Sequence, residues 1–257
     1  MHPIERLRHV ARAEGAGASL LVREAAGALA GFGADPPGMV TACRRLVDRH
    51  PAVGPMWWLA ANVLAAGEPV AAAWRAADEL DGDPTPAGLA KELPDDATVV
   101  VIGWPELSAD ALRRRGDLEV LVVDAAGEGS GLARRLRGAG VDAIDVPDAG
   151  LGAAVAESDL VLLEAGAIGH DGLVAVAGSR AAAAVAQHAG TPVWVVAGVG
   201  RALPDALWEA LVDRLGLDVS EPWDRLDEVV PLDLVDEVIG SRKPTCSVAP
   251  ELLKPLD

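Results

Sequence analysis

Three side chains in the second half of this sequence are of types that move protons, and several more could hold a ligand. Glu164 closes an apolar run, and His170 and Asp171 follow it in a short turn, which places a carboxylate and an imidazole–carboxylate pair in one strand–turn unit. General acid–base chemistry requires such groups within hydrogen-bond reach of the atom they serve. Arg201 and Arg180 supply guanidinium forks suited to bidentate binding of phosphate or carboxylate. Asp124 precedes a glycine-rich stretch in which Gly129 and Ser130 stand at the head of a helical segment, where exposed backbone amides can hold an anion.

Each of these groups also has a plainer structural reading. Glu164 can pair with Arg201 or cap a loop, Asp171-Gly172 is turn chemistry, and Asp124 suits a helix cap as well as a ligand hydroxyl. Either arginine can form a surface salt bridge. The spacing G-x-G-x-G at 127–131 departs from the dinucleotide pattern G-x-G-x-x-G, follows a second strand instead of a first, and contains Glu128, which repels phosphate. No cofactor is expected. Cys43 and Cys246 lie far apart without a C-x-x-C spacing or a histidine cluster, so they are expected to be structural thiols and no metal site is expected.

The elements that must position these residues fall into two kinds. Apolar residues recur at helical spacing across 4–32, and further helices are expected over 38–50, 56–66 and 70–80, punctuated by proline and glycine. Trp57, Trp58 and Trp74 are expected to fill the core of this helical segment or its seam with the next. After Pro94 the rhythm changes. Residues 98–103, 118–123, 141–146, 160–164 and 193–197 read as short apolar strands, separated by helices over 106–115, 131–139 and 180–188, with another at 204–215. Such alternation predicts a Rossmann-like α/β fold: a parallel sheet with helices on both faces, preceded by a helical N-terminal domain. The boundaries are expected at 1–94 and 95–257. A ligand site in such a sheet lies beyond the carboxyl ends of the strands, at a switch in strand order.

Composition bounds the functional classes. The chain of 257 residues is 51% apolar, enough for a substantial core. Its apolar runs are all far shorter than the roughly 18 residues of a membrane span. The amino-terminal residues carry no apolar signal core, so a cytoplasmic location and no membrane contact are expected. Residues 1–94 carry a net charge of −2 and residues 95–257 a net charge of −15. A nucleic-acid backbone would be repelled by so acidic a half, and residues 205–237 alone hold eleven acids against Arg214 and Arg225. The acidic run reads as a solvated face, with a docking surface for a basic partner as the alternative.

The run from 144 to 197 resembles one family: the alpha, beta and delta subunits of translation initiation factor 2B, with methylthioribose-1-phosphate isomerase and ribose-1,5-bisphosphate isomerase. Residues 159–168 match its D-L-V-L-V-G-A-D-A-I strand, and His170-Asp171-Gly172 matches its turn. Gly178-Ser179 stands in its G-[ST] position, 191–197 in its following strand, and Val229-Val230-Pro231-Leu232 in its closing V-x-P segment. The resemblance implies a helical amino-terminal domain joined to a Rossmann-like domain, and association as a homodimer.

Family chemistry shifts a carbonyl along a phosphorylated sugar, using a cysteine after the first strand, an aspartate in G-A-D, a phosphate-gripping arginine after the second strand, and an asparagine–lysine pair. This chain has Gly103-Trp104-Pro105, Gly166, the stretch 125–131, and Ala175 and Val176 in those places. The scaffold motifs remain and the reacting groups do not. The expected function is therefore a non-catalytic ligand-sensing or protein-binding module, with a phosphorylated small molecule as the implied ligand. The alternative is a sugar-phosphate isomerase with relocated groups, built on Glu164, Asp171, His170 and Arg201. Glu164 would stand roughly 6–7 Å below position 166 along its strand. A subunit-like role in translation initiation rests on the resemblance alone.

Overall fold

The computed structural model describes Glu5, Val10, residues 17–216 and residues 221–255. Ile4, Leu7 and Ala11 of the first expected helical stripe lie outside the described residues. The amino-terminal half is a helical layer: α1 (Ala18–Leu29), α2 (Pro36–Arg49), α3 (Gly54–Ala65), α4 (Pro69–Asp81) and α5 (Thr85–Glu92). Helix α2 starts where Asp35 accepts a 3.1 Å hydrogen bond from the Gly38 amide and proline supplies the first turn. Helix α3 is apolar on nearly every side, which places it in the centre of the layer with Trp57 and Trp58 buried. Trp74 instead keeps 39% of its surface exposed, because it sits on the outer face of α4. The expectation that it fills the core is corrected accordingly.

Beyond α5 the chain alternates: β1 (Thr98–Ile102), α6 (Glu106–Leu112), β2 (Glu119–Val123), α7 (Gly129–Gly138), β3 (Asp142–Val146), α8 (Leu151–Ala156), β4 (Leu160–Glu164), β5 (Ala167–Ile168), β6 (Gly172–Val176), α9 (Ser179–Ala189), β7 (Val193–Ala197), α10 (Asp205–Gly216), β8 (Asp227–Pro231) and β9 (Glu237–Gly240). Six strands form one parallel sheet in the order β3-β2-β1-β4-β7-β9. Alternate residues of the central strands enter different cores. Val99, Val101, Leu160 and Leu162 pack under α5, α6 and α7, while Val100, Ile102, Val161 and Leu163 pack under α8 and α9. Burial on both faces explains why these strands read as unbroken apolar runs.

Two features depart from the sequence pattern. β5, β6 and β8 form a separate antiparallel sheet in the order β5-β6-β8, where the alternation of apolar runs marks no strands and Asp171-Gly172 reads as a turn. The helix expected to reach 115 stops at Leu112, because the Arg115 guanidinium turns back to the Ala90 and Leu93 carbonyls at 3.1 and 2.8 Å and pairs with Asp117 and Asp95.

The core of the helical layer recruits residues from the far end of the chain. Leu207, Trp208 and Leu211 of α10 and Ala249 and Leu252 of the carboxyl-terminal segment join Trp57, Trp58 and Leu59. Arg214 ties the parts together. It is buried, pairs with Asp48 at 2.6 Å, lies 4.7 Å from the Trp57 ring centre, and donates to the carbonyls of Ala210 and Leu252. Among the described residues no helix is long and apolar enough to cross a membrane.

Candidate functional site

Strand order reverses between β1 and β4, so the loops at their carboxyl ends diverge and leave a crevice between them. A cleft of about 700 Å³ opens there, roofed by the amino-terminal residues of α1 and the turn before α3, and it continues into an inner recess of about 290 Å³. Trp104, Glu128, Glu164, Gly166, Arg201 and Asp227 line both parts.

Glu164 and Arg201 form a buried ion pair at the floor. Their side chains are 9% and 8% exposed, and Glu164 Oε1 accepts from Arg201 Nη2 at 3.0 Å. The other oxygen, Oε2, accepts from the Ser108 amide at 3.0 Å and from the Ser108 hydroxyl at 3.2 Å. Arg201 Nη1 donates to the Ala165 carbonyl. A buried carboxylate needs this many partners to offset desolvation. The loop carrying Arg201 is held in turn by Asp83, whose carboxylate accepts from the Val199 amide at 2.9 Å and from the Thr85 amide at 2.9 Å.

The other residues singled out in the sequence lie elsewhere. Asp171 accepts a 2.7 Å hydrogen bond from the Trp208 indole, and His170 faces Asp205 at 3.6 Å; neither lines the cleft. The indole ring also lies against Gly169, so this turn is an anchor for α10. Arg180 is exposed and lies outside the cleft lining. Asp124 Oδ1 accepts from the Gly129 amide at 2.7 Å, which starts α7 two residues earlier than periodicity suggests. Ser130 lines the outer cleft, and the Gly129 amide is already occupied by Asp124.

Three lining groups, and Ser108 behind them, had weak sequence signals or none. Glu106 accepts from the Ala18 amide at 3.0 Å, joining α6 to α1. Burial pushes its carboxyl above the usual range, the Ala18 bond opposes this, and Glu164 adds to the rise. Asp227, at the start of β8, is pushed up to about 6 by burial alone. Ser179 is 1% exposed and lines the inner recess. Ser108 anchors Glu164. A proline–glutamate helix start at 105–106 and the Gly178-Ser179 pair were the only local hints.

The glycine at 166 has a steric reason. The Gly54 amide donates to its carbonyl at 2.8 Å, and a Cβ on Gly166 would lie 2.5 Å from the Ala52 carbonyl oxygen. Both thiols are poor nucleophiles, since burial pushes Cys43 up to about 12 and Cys246 up to about 11.

Residues 89–212 match the Initiation factor 2 subunit family. No curated protein matches the sequence. Among solved structures, the Pyrococcus horikoshii OT3 translation initiation factor eIF-2B superposes with a TM-score of 0.78 at 18% identity, covering 92% of this chain and 94% of that one. Chaetomium thermophilum eIF2B beta gives 0.68 at 18% identity over 92% and 83%. A chain of the tetrameric eIF2B-beta2-delta2 complex from C. thermophilum gives 0.69 at 19% identity over 93% and 90%. At these identities the structural likeness speaks for the fold. The run from 144 to 197 that carries the sequence resemblance lies inside the matched span.

Proposed function

We propose that this IF-2B-like chain, with the family pattern across residues 89–212 and an eIF2B-like fold, is a non-catalytic ligand-sensing module. The observation that carries the reading is the state of Glu164. It is the one predicted acid–base group at the cleft, and its carboxylate is engaged by Arg201 and by both polar groups of Ser108. A general base needs a lone pair facing its target, and three of the roughly four acceptor positions of this carboxylate are already filled. The position where the family places its aspartate is Gly166, crowded by the Ala52 carbonyl. His170 and Asp171 are engaged around α10, away from the cleft.

What remains is a concave, partly polar site at the switch point of the sheet, roofed by the helical layer. That geometry suits a module whose two halves are held together when a small molecule fills the seam. Self-association as a homodimer belongs to the same reading. It is supported by the assembly of a related C. thermophilum chain in a tetrameric complex.

The test is direct assay of the purified chain with methylthioribose-1-phosphate and ribose-1,5-bisphosphate. No turnover above background is expected, and isomerisation of either sugar at an enzymatic rate overturns the proposal. Sedimentation velocity checks the dimer.

A further inference from the structure

The turn that leaves β7 touches both layers of the molecule. The Val199 amide donates to Asp83 Oδ2 at 2.9 Å, and Asp83 belongs to the connection between α4 and α5 of the helical layer. Two residues further on, Arg201 is buried at the cleft floor, where its guanidinium holds Glu164 at 3.0 Å and the Ala165 carbonyl. The backbone between them closes on itself, with the Arg201 amide donating to the Gly198 carbonyl at 3.2 Å. A shift of Val199 is therefore passed to Arg201 within a single turn.

Sterics leave this turn no slack against the helical layer. A Cβ on Gly198 would fall on the Asp83 carboxylate and 2.6 Å from Leu107 Cδ1. Gly200 has φ +74°, which glycine adopts without strain, and a Cβ there would lie 3.0 Å from the ring of Trp58. Trp58 is part of the core of the helical layer. The other oxygen of Asp83 accepts from the Thr85 amide at 2.9 Å, at the first residue of α5, so the carboxylate is fixed on its own layer as well. Beyond the turn, the Arg201 carbonyl accepts from the Ile168 amide at 2.8 Å, which carries the same geometry to β5. A buried ion pair offsets its desolvation only in good geometry, so a small displacement of Arg201 leaves Glu164 uncompensated.

We infer that Asp83 is a positioning residue for the cleft: through the turn at 198–201 it ties the Arg201–Glu164 ion pair to the docked helical layer, so that undocking the layer unmakes the cleft floor. This tie operates whichever molecule fills the cleft, and it stands apart from the ligand-sensing reading.

Amide hydrogen exchange in the full chain tests the tie, with Leu162 in the centre of β4 reporting global opening. Val199 loses its acceptor in Asp83→Ala in any case, so the amide that decides is Ile168, bonded to Arg201. Its exchange is expected to quicken roughly tenfold relative to Leu162. Gly198→Ala, whose methyl group would displace the carboxylate from Val199, is the second variant should Asp83→Ala fail to fold, and the same change at Ile168 is expected. Quickening confined to Val199, Thr85 and α5, with Ile168 unchanged, makes Asp83 a local cap and overturns the assignment. A double-mutant cycle gives a second readout. Asp83→Ala/Arg201→Met is expected to lose less stability in urea than the two single variants combined, although the Asp83 bonds end at Thr85 and Val199. Additive losses overturn the assignment equally.

Discussion

The amide of Gly54 donates a 2.8 Å hydrogen bond to the carbonyl of Gly166, so the head of a helix in the amino-terminal layer touches the cleft floor backbone to backbone. No side chain fits between them. A Cβ on Gly166 would lie 2.5 Å from the Ala52 carbonyl and one on Gly54 would lie 2.7 Å from the Gly166 carbonyl. Gly166→Asp is therefore expected to destabilise the chain by about 1–3 kcal/mol, read as a lower midpoint in urea. It is also expected not to create isomerase activity, because the new carboxylate would have to push the helical layer away from the sheet.

Glu164→Gln separates a structural from a catalytic role. The substitution preserves shape but removes the charge that offsets buried Arg201, so a loss on the order of 3 kcal/mol is expected. The double variant Glu164→Gln/Arg201→Met should lose less than the sum of the two single changes. Chemical denaturation of all four proteins measures both quantities. A catalytic acid with no structural role would instead leave the midpoint of Glu164→Gln unchanged.

Asp227 should make stability depend on pH. Its folded value, about 6, lies above the ordinary aspartate range. The charged form is thus disfavoured in the folded state, and the associated stability is fully present below the unfolded value and lost as pH rises through about 6. Asp227→Asn is expected to stabilise the chain by on the order of 2 kcal/mol above that pH and to change little at about pH 4. Thermal melts across the range compare the two proteins.

Arg214 joins α2, α10 and the carboxyl-terminal segment. Replacing it with leucine removes the guanidinium partner of Asp48 and the bond to the Leu252 carbonyl. A loss of about 3–5 kcal/mol is expected. Faster amide exchange at Leu252 and Leu253 would show that the terminal segment has loosened from the helical layer.

Local pattern accounts for most of the architecture. Unbroken apolar runs at 98–103, 160–164 and 193–197 are what strands covered on both faces must look like, and proline and glycine between the early helices mark their ends. The same local logic identified Trp57 and Trp58 as core, and placed Glu164 and Arg201 at the carboxyl edge of the sheet. It failed for Trp74, whose helix turns that position to solvent, and for the pairing of β6 with β8, which joins Val176 to Asp227 and Gly172 to Pro231 across a long stretch of sequence.

The sequence by itself determined the alternation of elements, the parallel sheet and the loss of the family's reacting side chains, because periodicity and residue identity are properties of single segments. Only the tertiary structure decided which charges meet. Glu164 reaches Arg201 because β4 and β7 are neighbours in the sheet, and Ser108 because α6 packs beside β4. The same placement brings Glu228 to the Arg180 amide and draws Asp171 to Trp208. An ion pair is set by distance in space and by water exclusion, and neither can be read along a single strand.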